Sequence, residues 1–267
     1  MGKRTRYAVL ALIVGLTGYA CKKVITVDLK DAASQLVIEG QITNFAHTGK
    51  VTISRSVPFS SNKGYPPVSG AQVSITDSTS GVSALLNETD SGVYTTKQID
   101  GTPLHTYLLR VTVEGKTYTA SSTMPLEVPL DSVTFAVNID FNNHKDINAV
   151  INFQDPAGLG NYYQFTESVN DRPIPNIFVF EDRLSDGRYI EQPLFNDSAY
   201  LQKFDELELT MNCIDQRVYT YFLTLANVTA NNTFQSATPT NPNTNINGGA
   251  LGYFSAHTSF TTRVQVY

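Results

Sequence analysis

The chain has 267 residues, 19 basic and 24 acidic, for a formal net charge of −5, with 14 Tyr, 14 Phe, no Trp and only two cysteines. An acidic balance of this kind argues against a nucleic-acid binder and against adhesion to anionic lipid through a polybasic patch. Two cysteines cannot make a disulfide framework, yet the chain is long enough to bury a core without one.

Lys3, Arg4 and Arg6 form a basic start, an apolar run covers 7–16, and Gly18 and Ala20 flank Tyr19 just before Cys21. This is the pattern of a secretory signal peptide over 1–20, with Cys21 at the cleavage point as the acylated residue of a bacterial lipoprotein. The apolar run falls short of the ~20 residues that span a bilayer, so an uncleaved anchor is disfavoured. Cleavage without lipidation is the alternative, because Gly18 stands where a Leu is usual three positions before the Cys. Removing the signal leaves the mature chain at net −8. Lipidation at one terminus supplies stable attachment with no transmembrane helix.

Residues 21–34 read as the lipidated tether. From there Thr, Val and Tyr abound, long amphipathic helical patterns are scarce, and Gly, Pro, Asn and Asp punctuate the chain, so it reads as mainly β. Strands are expected over 35–43, 50–55 (Val51 and Ile53 alternating with Thr52 and Ser54), 71–77, 93–95, 106–113 and 116–122, with 60–70 as a loop and Glu114-Gly115 as a tight hairpin turn. Short strands at regular intervals predict an immunoglobulin-like or transthyretin-like β-sandwich over 35–125. The segment 124–129 (MPLEVP) marks the junction to a second sandwich-like domain over 126–267.

In that second part, strands are expected over 131–140, 149–154, 162–168, 177–181 and 207–214, with turns at 155–158 and at Asp186-Gly187. Cys213, in the apolar stretch 207–214, is expected to be a small buried hydrophobe. Val218, Tyr221, Phe222 and Leu225 share one helical face behind Asp215 as N-cap, so 215–226 is the helical candidate, with a strand as the alternative because the same residues also alternate. Residues 227–249, rich in Asn, Thr and Pro, read as a long loop too polar for core, before closing strands over 251–256 and 260–267.

Strings along the whole chain resemble one family. LVIEGQIT at 36–43, YPPVSGAQVSITD at 65–77, GKTYTASSTMP at 115–125, LDSVTF at 130–135, DPAGLGNYYQF at 155–165, CIDQRVYTYF at 213–222 and GGALGYFSA at 248–256 are similar to the domain-of-unknown-function 4249 family. The resemblance implies an outer-membrane lipoprotein of Bacteroidetes, often encoded beside TonB-dependent receptors, and brings no reaction, cofactor, ligand or catalytic residue. Lys22 and Lys23 follow Cys21 where surface-displayed lipoproteins of that phylum tend to be acidic, so both the periplasmic and the cell-surface face stay open.

No chemical motif stands out. His47, His105, His144 and His257 show no zinc-ligand spacing, and no nucleophile elbow, phosphate loop or Cys-x-x-Cys is present. Glu181-Asp182 and Asp205-Glu206 with Glu208 are acidic clusters with structural or solvated roles as the first reading; a weak calcium loop over 182–186 is the alternative. The stretch most suited to ligand contact is 231–254, where Asn241, Asn243, Asn245 and Asn247 run into Tyr253 and Phe254. Amides with neighbouring rings suit a glycan or peptide, whereas a wrapping loop whose aromatics plug the second sandwich is the structural alternative. Tyr162 and Tyr163, adjacent on a strand, should point to opposite faces. Three functions follow: a non-enzymatic binding or accessory lipoprotein partnering a TonB-dependent transporter, a surface adhesin or envelope scaffold, or a hydrolase whose residues meet only in the fold.

Overall fold

Alternation dictates the first strands. In β1 (Leu36–Thr43) Leu36, Ile38 and Ile42 are buried on one face, and β2 (Gly49–Arg55) buries Val51 and Ile53 in the same way. The computed structural model describes residues 34–45, 49–58, 64–139, 145–196, 201–229 and 241–267. The expected signal peptide, Cys21, the tether up to residue 33, His47 and His144 lie outside the described residues.

The chain continues through β3 (Gln72–Asp77), β4 (Ser83–Asp90), β5 (Val93–Thr96), β6 (Thr106–Val113) and β7 (Lys116–Thr123). Glu114 and Gly115 both have positive φ, 51° and 75°, the backbone a two-residue hairpin needs to match the strand twist between β6 and β7. Next come β8 (Ser132–Ile139), β9 (Lys145–Gln154), β10 (Tyr162–Val169), β11 (Arg172–Pro173), β12 (Phe178–Glu181), a short 3-10 turn (Asp182–Leu184), β13 (Tyr189–Pro193), β14 (Glu206–Ile214), the helix α1 (Gln216–Thr229), β15 (Ile246–Asn247) and β16 (Leu251–Gln265). The protein is mainly β.

Thirteen strands form one sheet, ordered β11-β10-β14-β16-β1-β2-β5-β4-β3-β6-β7-β15 with β12 also on β10; β13-β9-β8 make a second, small sheet. Among the strand pairs of the described residues only β1 and β16 run parallel. That pairing places the end of the chain in the middle of the large sheet, and Phe254 lies directly across from Gly40, where a Cβ would come within 3.0 Å of its ring.

Two cores lie along this sheet. The first contains Ile38, Val51, Ile75, Tyr107 and Leu109, and it takes in Ile246, Ala250, Phe254 and Ala256 from the far end of the sequence. Buried tyrosine hydroxyls here reach backbone: Tyr94 donates to the Val68 carbonyl (3.0 Å), and Tyr107 donates to that of Asp100 (3.1 Å). The second core, between β10, β14 and the small sheet, contains Ile151, Phe153, Tyr163, Phe165, Leu207 and Met211. Phe153 meets Tyr163 edge-on at 5.0 Å. Truncating any of these buried rings to Ala costs about 3–5 kcal/mol. A third cluster forms where Val218, Tyr221 and Phe222 of α1 cover Tyr253 and Tyr162. Among the described residues no helix is long and apolar enough to cross a membrane.

Three local expectations are corrected. The closing strands over 251–256 and 260–267 are one strand, because His257, Thr258 and Ser259 are buried and carry the ladder on, His257 opposite Thr43 of β1 and Thr258 and Ser259 opposite β14. The polar stretch 227–249 is not all loop or all surface. The helix runs on to Thr229, and Asn245 and Ile246 are buried, with Ile246 pairing Ala120. Strands β4 and β13 escaped the sequence pattern; in β4 the outward Leu85 obscures the inward Ala84 and Leu86.

Candidate binding groove

The helix start is fixed by one carboxylate. Asp215 Oδ1 accepts the amides of Arg217 (2.8 Å) and Val218 (3.0 Å), satisfying donors the helix itself leaves open. Its Oδ2 accepts the Ser122 hydroxyl, and that hydroxyl accepts the Ala256 amide at 2.9 Å. The cap therefore ties α1 to β7 and β16.

The segment 243–247 is fastened beside it by side chains acting as backbone. Asn245 donates to the Phe254 carbonyl (2.7 Å) and accepts the Phe254 amide (2.9 Å), the two bonds a neighbouring strand residue would make. Thr244 donates to the Gly252 carbonyl at 2.6 Å, and the Asn243 amide donates to Thr224 Oγ1 at 3.0 Å. Between this segment and the first turns of α1 lies a groove of about 280 Å³, walled by Gln216, Arg217 and Thr220 on one side and Asn243, Thr244, Asn245 and Asn247 on the other. It presents amides, hydroxyls and one guanidinium, groups that bind by hydrogen bonds and charge.

The structure thus brings Asn243, Asn245 and Asn247 together, with Asn245 buried and the other two exposed. Asn241 is separate, its amide donating to Gln35 at 3.4 Å. Phe254 is fully buried in the first core and offers no face to a ligand. Tyr253 packs under α1, 4.9 Å from the Tyr221 ring and 4.8 Å from that of Phe222, and borders a smaller cavity of about 170 Å³ with Glu39, Gln41 and Lys50. Tyr162 and Tyr163 do face opposite ways: Tyr162 lies over Tyr219, while Tyr163 is buried with its hydroxyl 2.5 Å from Asp155. Gln216, Arg217 and Thr220 escaped the sequence reading. The Asp215 cap was the available signal, since it leaves the turn behind it exposed.

Other chemistry-bearing groups lie elsewhere. Ser255 Oγ and His257 Nδ1 are 2.9 Å apart, but both are buried and neither lines the groove; burial pushes the His257 imidazole down to about 4, so it is neutral at physiological pH. His105 Nδ1 stands 2.7 Å from Asp77. Glu206 and Glu208 are each 2.7 Å from Arg263, an exposed ion-pair cluster. Cys213 is buried, as its apolar stretch implies, and its thiol is pushed up by burial.

The 182–186 turn joins a carboxylate the sequence did not connect to it. Asp155, Asp182 and Asp186 hold carboxylate oxygens within 4.8 Å of one another, an oxygen set a hard cation could use. All three are already engaged by backbone amides: Gly187 on Asp155 (3.0 Å), Gly160 and Asn161 on Asp182 (3.0 and 3.1 Å), and Gly158 on Asp186 (2.6 Å). This bonding is sufficient reason for three acids to pin two turns together.

A search of curated proteins finds no match. A model of the family described as Domain of unknown function (DUF4249) matches residues 22–263, nearly the whole chain, and the protein belongs to that family.

Proposed function

We propose that the protein is an outer-membrane lipoprotein, anchored through Cys21, that acts as a non-enzymatic binding or accessory protein and partners a TonB-dependent transporter in nutrient capture. The observation that carries the binding half of this reading is the groove in which Asn243, Asn245 and Asn247 meet the first turns of α1. Its walls are held by the Asp215 cap and by the Asn245 bonds to Phe254, so the backbone that carries its polar side chains is preorganised, which lowers the entropy lost on binding. Placement supports a role without catalysis: the Ser255–His257 pair is sealed in the sheet and the three aspartates are tied to backbone amides, away from the groove.

The anchor and partner are supported by the sequence: the basic and apolar run ahead of Cys21, and the family resemblance. Purification of the lipidated protein from solubilised outer membrane should bring a TonB-dependent receptor with it in stoichiometric amount. Recovery with no receptor enriched over an unrelated lipoprotein would remove the accessory reading. Cys21→Ala should move the protein from the membrane fraction to the soluble one.

A further inference from the structure

The groove under α1 does not end at Asn247. Across the outer face of the large sheet, four strands set polar residues in one register row: Ser74 opposite Arg110, Arg110 opposite Thr119, and Thr119 opposite Asn247. Directly opposed residues share a face, and with strands about 4.8 Å apart the row is roughly 14 Å long. Its four members are exposed or half-exposed, while Leu109 and Ala120, their neighbours in sequence, turn into the first core. A cavity of about 350 Å³ follows the row, edged by Thr76, Leu108 and Ser121. Asn247 is a wall of this cavity and of the groove under α1, and the two, which meet at that residue, are taken together as one trough.

The charge along the trough runs against that of the protein. The chain is net negative, yet among the described residues no Asp or Glu lines either half, and a guanidinium stands in each: Arg110 on the sheet and Arg217 beside the helix. Arg55, Arg183 and Arg263 are matched to carboxylates, whereas among the described residues Arg110 and Arg217, like Arg172 and Arg188 elsewhere, form no ion pair. Two arginines left open, separated by a run of hydroxyls and amides, call for a ligand with two anionic groups and polar groups between them. Leu108 is the one exposed apolar side chain in the trough, too little to anchor a peptide by its side chains. Short Ser, Thr and Asn side chains lose little rotamer freedom and both donate and accept, which matches the hydroxyls of a sugar chain.

We infer that this trough binds an acidic oligosaccharide, with carboxylates of the glycan on Arg110 and Arg217 and its hydroxyls on the Ser, Thr and Asn side chains between them. The inference rests on the binding-protein reading and names its ligand class.

Calorimetric titration of the full-length protein in detergent tests it, with an oligogalacturonate as the probe. A sulfated oligosaccharide, a neutral glucan oligosaccharide and oligoglutamate serve as the comparison ligands. The expected result is oligogalacturonate binding that weakens with salt and falls about tenfold in either Arg110→Gln or Arg217→Gln, but not in Arg263→Gln. Stronger binding of the sulfated ligand, with the same arginine dependence, keeps the acidic-glycan assignment and moves the anion from carboxylate to sulfate. Equal binding of the neutral oligosaccharide, preference for oligoglutamate, or indifference to both arginine substitutions overturns it. A receptor that co-purifies while no acidic glycan binds removes this inference and leaves the accessory role standing. Glycan binding without a receptor does the reverse.

Discussion

Asp77 and Glu167 are both nearly sealed from water, Asp77 beside the first core and Glu167 beside the second, and their surroundings treat them oppositely. Burial alone would raise Asp77, but it accepts bonds from the Ser80 hydroxyl (2.6 Å), His105 (2.7 Å) and the amides of Thr79 (2.9 Å) and Ser80 (3.2 Å), and these hold it down at about 2. Among the described residues Glu167 receives only Asn196 Nδ2 at 3.1 Å and its second oxygen has no partner; burial pushes it up to about 7. Donor supply, rather than depth, separates the two. Asp77 is therefore set to keep its charge and Glu167 to shed it.

The pH dependence follows with opposite signs. Unfolded, Glu167 releases its proton near 4.5, whereas the folded protein holds it to about 7. Between those values the folded state binds more protons, so stability falls as pH rises. Asp77 contributes stability above its unfolded value of 3.8 that is lost as pH falls toward 2.

The joint between the regions is the place to break this comparison hardest. Gly252 has φ +96°, and a Cβ there would lie 2.0 Å from the Ile38 carbonyl oxygen, where β16 meets β1. Gly252→Val should cost about 4 kcal/mol or more and lower the melting of both cores together in urea unfolding followed by site-specific probes. Independent melting of the second core would show that the shared strand does not couple them. Next in size, Glu167→Gln should stabilise the protein by about 3 kcal/mol at pH 8 and by almost nothing at pH 4, read from denaturant midpoints at both values. An equal gain at both would mean that packing, not charge, sets the effect.

Asn245→Ala leaves the buried Phe254 amide and carbonyl without partners and should cost about 2–3 kcal/mol. Hydrogen exchange at Phe254 should quicken in this variant ahead of global unfolding. Asp77→Ala should cost about 2 kcal/mol at pH 7 and less near pH 2, the reverse of the Glu167 trend. Smallest is Asp215→Ala, about 1 kcal/mol from the lost helix cap, seen as faster amide exchange at Arg217 and Val218.

How much of this could be read from the residues depends on whether the determining contact is local. Val51 and Ile53, the Glu114-Gly115 hairpin and the Asp215 cap are written in a few neighbouring positions, and the structure places them as the pattern implies. His257, Thr258 and Ser259 read as a break because they are polar, and the partners that let Ser259 stay buried come from a distance: Asn212 and Asn44, the latter 215 positions away. The same holds for the site. The asparagine spacing marked 243–247, but Arg217 and the row Ser74–Arg110–Thr119 join it only through sheet register, which no local window contains. Phe254 was drawn toward the ligand by its neighbours in sequence and is in fact held by Gly40 and the first core.

The parallel pairing of β1 with β16 also governs the order of assembly. The central partner of the first strand is the last to be synthesised, so through most of chain elongation one edge of β1 stands open with Ile38 and Ile42 unprotected. Contacts of such sequence separation slow folding, and an open apolar edge invites pairing with another chain. Truncations that remove 251–265 should therefore aggregate through that edge rather than leave a soluble first half.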